Sequence, residues 1–74
     1  MIDDLKELHN YLLEQYNECS VKGEEEKANY YFEKAFDCLW LIDLFNEMKL
    51  STNDWHRIKT LVKEYRSIKE NETD

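Results

Sequence analysis

The chain has 74 residues, a net charge of −7, one Gly, no Pro and two Cys. That length holds a single domain and excludes a Rossmann unit, a barrel or a two-domain enzyme. One Gly without Pro rules out a glycine-rich phosphate loop and leaves too few turn formers for an all-β fold, while the acidic balance argues against nucleic acid and anionic membranes as direct ligands.

The first helix is expected from about residue 3 to 21. Ile2, Leu5, His9, Leu12, Tyr16 and Cys19 recur at alternating spacings of three and four, with Leu8 and Leu13 widening the stripe. Asp3 is placed to cap the start, and Asp4 and Glu7 suit the positive end of the helix dipole. Gly23 after Lys22 reads as the stop.

The second helix is expected over about residues 24–48. Glu24, Glu25 and Glu26 open it, again where the dipole favours acids. Ala28, Tyr31, Phe32, Ala35, Cys38, Leu39, Ile42 and Phe45 fall on one face at about 100° per residue. Phe36, Trp40, Leu41, Leu44 and Met48 make a second face in the C-terminal half. A helix that is apolar on two sides needs neighbours on two sides, so this is the central helix.

The third helix is expected over about residues 51–69. Ser51 and Asp54 have the spacing of a capping box, and Leu50 and Trp55 that of a hydrophobic staple. Trp55, Ile58, Leu61, Val62, Tyr65 and Ile68 form its buried stripe. Residues 71–74 carry no apolar side chain and are expected to fray, which leaves one helical domain over 1–70.

Short connections make neighbouring helices antiparallel, so the expected fold is an antiparallel three-helix bundle with a long central helix. Folding about Gly23 and Leu50 sets Cys38 near Leu8, His9 near Asp37 and Phe45 near Trp55. The second helix is expected to outrun its neighbours by about six residues, roughly 9 Å. An overhang of that kind on a chain near the lower size limit for a self-sufficient core points to a homodimer through helix 2.

Candidate chemistry is sparse. In this register Cys19 and Cys38 lie roughly 16 Å apart, beyond disulfide reach, and read as buried free thiols of a reducing compartment. Cys38, His9 and Asp37 make a nucleophile–base–acid set on paper. They sit on helix faces without a loop or glycine to build an oxyanion hole, so His9 reads as a seam histidine bonded to Asp37 and the chain as non-catalytic. No Cys pair or His pair has zinc spacing, and no Glu-x-x-His motif occurs, so neither a metal nor another cofactor is expected.

Residues 1–50 carry the whole net charge, and residues 51–74 are neutral. Glu26, Glu33 and Asp37 share one side of helix 2 and form an electronegative surface suited to a basic partner. Tyr30, Trp40, Leu41, Leu44 and Met48 are the expected apolar anchors of the same partner interface. Lys59, Lys63 and Arg66 beside Trp55 form a basic stripe on helix 3, the basis of an alternative reading as a nucleic-acid-binding regulator.

Gly23, Ala28, Phe32 and Ala35 resemble, in spacing, the turn and second helix of a tetratricopeptide repeat over residues 9–35. Tyr16 stands where that repeat has a small residue, and Cys19 where it has Tyr. One copy is too few for a solenoid. The resemblance implies a common way of packing two antiparallel helices, without an activity, so an adaptor hairpin is a further alternative.

The function expected from these residues is a small acidic protein that binds and modulates another protein, in its specific form an inhibitor of a host or defence enzyme from a phage or mobile element. Lys outnumbers Arg 8 to 2 and Asn outnumbers Ala 6 to 2, as in an AT-rich genome. No apolar run is long enough to span a membrane and no leader pattern opens the sequence, so a cytoplasmic location is expected.

Overall fold

A computed structural model describes residues 1–72. The described chain is all-helical, with α1 at Ile2–Val21, α2 at Glu25–Asn46 and α3 at Thr52–Glu72. The helices are nearly equal at 20, 22 and 21 residues, so the expected overhang of α2 is absent. Of the tail expected to fray, residues 71 and 72 are helical, and 73 and 74 lie outside the described residues.

Each helix end has its own chemistry. α1 starts one residue earlier than expected, with Met1 at the N-cap and no side-chain cap. Its carbonyl accepts the Leu5 N–H at 3.1 Å, and Asp3 and Asp4 fall in the first turn, where they face the dipole. At the other end the Gly23 N–H donates to Ser20 at 3.1 Å and the Glu24 N–H to Cys19 at 2.8 Å. That pair of bonds is a Schellman motif, and Gly23 takes the left-handed φ of 77° it requires.

The same motif ends α2 without a glycine. Met48 N–H donates to Phe45 at 3.0 Å and Lys49 N–H to Leu44 at 2.9 Å, with Met48 at φ 59°. Helix 2 therefore stops at Asn46, short of the expected Met48, and Met48 belongs to the turn. Its side chain is 93% exposed, so nothing it packs against explains the strained backbone.

α3 opens on a reciprocal box. The Asp54 N–H donates to Ser51 Oγ at 3.2 Å, while the Ser51 N–H and Oγ–H donate to Asp54 Oδ2 at 3.0 and 2.9 Å. Those bonds, the backbone one first, hold the Asp54 carboxyl below the usual aspartate range. The box therefore supports the fold above that range and is lost as acid protonates Asp54.

The core joins Leu5, Leu8 and Leu12 of α1 to Ala35, Cys38, Leu41 and Ile42 of α2 and to Ile58, Val62 and Tyr65 of α3. Small side chains at Ala28, Ala35 and Cys38 let α1 and α2 approach along their length. The α3 backbone comes close to α1 at fewer places and to α2 at fewer still. Surface pairs tie it down: Arg66–Asp4 at 2.9 Å and Lys69–Glu7 at 3.5 Å to α1, Lys34–Glu64 at 2.9 Å and Arg57–Asp37 at 3.4 Å to α2. Phe45 also meets Trp55 edge-on at 6.3 Å. The result is flattened, 38 × 28 × 16 Å, with a radius of gyration of 12.9 Å. A close-packed chain of this length would have one of about 11 Å.

The two left-handed positions give opposite expectations in urea unfolding. Gly23→Ala places a side chain in open space but at a left-handed φ, and is expected to cost about 1 kcal/mol. Met48→Gly removes the same strain and is expected to gain roughly 0.5–1 kcal/mol. A loss of stability in Met48→Gly would show that the methionine side chain supports the turn.

Candidate interaction surface

The residues expected to form a partner interface separate into three groups. Leu41 is fully buried beneath α3 and belongs to the core, a correction to its place among exposed anchors. Leu44 is half-buried, and Met48 stands out from the turn, off the helix face. Trp40, Tyr30, Glu26, Glu33 and Asp37 are exposed on α2. Tyr30 lies toward α3, edge-on to Tyr31 at 5.5 Å and under the Lys34 ammonium at 5.2 Å.

What surrounds Trp40 was not among the expected anchors. Phe32, Phe36, Leu39 and Trp40 are 48%, 56%, 43% and 56% exposed. At about 100° per residue they occupy one arc of roughly 100° on α2, directed away from the buried arc of Ala35, Cys38 and Ile42. Phe32 closes one edge of the stripe against Tyr16 of α1, with ring centroids 5.4 Å apart. Rotation counts put Phe32 and Leu39 on the core face and Phe36 on a face covered by α3. The strip between those faces was legible only as their shared edge.

The same arc is strongly acidic. Glu25, Glu26, Glu33, Asp37, Asp43 and Glu47 are exposed along or beside the stripe. The two bases within α2, Lys27 and Lys34, lie roughly 170° round the helix from its centre. Asp37 pairs with Arg57, and Glu47 with Lys49 at 3.6 Å. Glu26, Glu33 and Asp43 have no ion-pair partner among the described residues.

Cys38, His9 and Asp37, a catalytic set on paper only, are not joined by hydrogen bonds. Asp37 is engaged by Arg57, and His9 makes no hydrogen bond to it, which corrects the seam pairing. Cys38 is fully buried, and burial first, then the neighbouring Asp37 charge, push its thiol up to about 11. Cys19 is also a buried free thiol. Among the described residues no group of three or more His, Cys, Asp or Glu is placed to hold a metal, and no helix is long and apolar enough to cross a membrane.

A cleft of about 380 Å³ opens where the three helices meet, lined by Tyr11, Tyr30, Tyr31 and the Lys34–Glu64 pair. Its two charges neutralise each other, and the hydrogen bond to Glu64 holds the Lys34 ammonium above the usual lysine range. On α3, Arg57 and Arg66 are likewise taken up by acids of the other helices, which leaves Lys59 and Lys63 as the remainder of the expected basic stripe. The chain matches no protein-family model, no curated protein and no solved structure.

The burial of Cys38 has a direct chemical consequence. At pH 8 a thiol titrating near 11 is about 100-fold poorer in thiolate than one at its ordinary value of 9.0. In a Cys19→Ala variant, Cys38 is expected to react with a disulfide reagent at least 100-fold more slowly in buffer than in urea. Equal rates in the two conditions would place Cys38 in an open site.

Proposed function

We propose that this chain is a small, acidic, non-catalytic protein that binds another protein through the outward face of α2 and modulates it by covering a basic surface. The observation that carries the reading is the coincidence, on one helix arc, of four large exposed apolar side chains with carboxylates and no base. Aromatic anchors inside a charged rim are the anatomy of a protein interface. The −7 charge, confined to residues 1–50, adds long-range attraction for a positive partner. A protein surface basic enough to hold this face is the kind that otherwise holds phosphates, so occupying it inhibits nucleic-acid binding. An inhibitor of a host or defence enzyme, carried by a phage or mobile element, is the specific form of this proposal.

The scaffold in this reading is an antiparallel three-helix bundle. Its support is the order of the α2–α3 pairs: Phe45 with Trp55, Asp37 with Arg57 and Lys34 with Glu64, descending on one helix as they rise on the other. A homodimer through α2 loses the argument from helix length, since α2 has no overhang.

The test is affinity capture from a host lysate with three variants beside the natural chain. Trp40→Ala and the reversal of Glu26, Glu33 and Asp43 to Lys are each expected to lose the specifically retained protein. Reversal of Lys59 and Lys63 to Glu is expected to keep it. Loss confined to the α3 variant would overturn the proposal in favour of a site on α3.

A further inference from the structure

The partner's chemistry can be taken one step further, on the premise that the α2 face is the interface. We propose that this face docks a basic amphipathic helix, one that carries large apolar side chains at i, i+4 and i+7 with Lys or Arg along one flank and at its ends.

Shape is the first argument. Phe32, Phe36 and Trp40 form one i, i+4, i+8 ridge, with Leu39 beside it, over nine residues, about 12 Å or two helical turns. The ridge stands on a single convex helix, with only an open, shallow depression between Phe32, Glu33, Phe36 and Asp37. A surface of that kind is matched by the groove between the side-chain rows of another helix. The described residues contain no strand, so there is no sheet edge to which an extended peptide could add.

Area is the second. Three aromatics and a leucine, each about half exposed, present roughly 400 Å² of apolar surface, at the upper end of what a monomer leaves open without a use. That is about half of the roughly 800 Å² per partner in a standard interface, the share expected of an apolar centre. The rest falls to the rim, and here the rim is acidic along one flank, at Glu26 and Glu33 with the Arg57-paired Asp37, and at the two ends of the stripe, at Glu25 and Asp43.

Charge decides between a second copy and a foreign helix. A two-fold contact through α2 sets this face against itself, so an acidic rim that holds the unpaired carboxylates of Glu26, Glu33 and Asp43 meets a second acidic rim. Like charges across an interface select against that partner. A helix flanked by Lys and Arg meets the same carboxylates with opposite charge.

The experiment titrates the isotope-labelled full chain with three synthetic 18-residue peptides, followed by NMR. One is a basic amphipathic helix with Leu and Phe at the stated spacing. The second keeps those apolar positions and replaces Lys and Arg by Glu, and the third scrambles the first. Shifts confined to the α2 arc are expected with the basic helix, with at least tenfold weaker binding of the other two. Phe36→Ala and Trp40→Ala are each expected to weaken the basic helix at least tenfold, and both positions are exposed enough to leave the fold intact. Equal binding of the basic and scrambled peptides would overturn the helix. So would a dimer, seen by sedimentation at 50 mM salt, that Trp40→Ala dissolves. If the peptides fail while lysate capture still depends on Trp40, the helix is wrong and the interface stands. If both fail, the interface falls with it.

Discussion

The structure depends on how much of α2 two neighbouring helices can cover. α2 carries apolar side chains around most of its circumference, and α1 and α3 reach only part of it. α1 takes the side with the small residues, where Ala28, Ala35 and Cys38 permit close approach. α3 lies against the next arc and buries Leu41, and with it the core closes around Leu5, Ile58 and Val62. The arc left over holds Phe32, Phe36, Leu39 and Trp40. The described residues place no fourth element there, as expected where surface is large relative to volume.

Charge follows the same division. Most of the acids lie on α1 and α2, and α3 answers them with Arg57, Arg66 and Lys69, each paired to a carboxylate of another helix. These exposed pairs are individually weak, worth about 0–1 kcal/mol each. Their distribution matters more: four of the chain's ten bases, Lys34, Arg57, Arg66 and Lys69, pair between α3 and another helix, and the open arc of α2 carries no base of its own.

Much of this was readable in the residues. Gly23 marked the first turn because only a left-handed residue completes the bonds to Cys19 and Ser20. Ser51 and Asp54 marked the third helix because their side chains satisfy each other's backbone. The end of α2 was not readable, since Met48 adopts a glycine's conformation without being one. The exposed stripe was half readable. Counting 100° per residue gives the faces of α2 but not the angle at which α3 crosses it, and that angle decides that Leu41 is buried while Phe36 and Trp40 are not. His9 and Asp37 were level by register, yet Asp37 lies well round α2 from the small residues that face α1 and pairs with Arg57 of α3.

The central claim is that the Phe36–Trp40 arc packs against nothing in the folded chain. Urea unfolding of the double variant Phe36→Gln, Trp40→Gln tests it most directly. Exposed positions on a helix tolerate such changes within about 0.5 kcal/mol, so the midpoint should match that of the natural chain or rise slightly. Buried aromatics cost roughly 3–5 kcal/mol when truncated, and a loss on that scale would mean that the arc is already covered, by α3 or by a second copy.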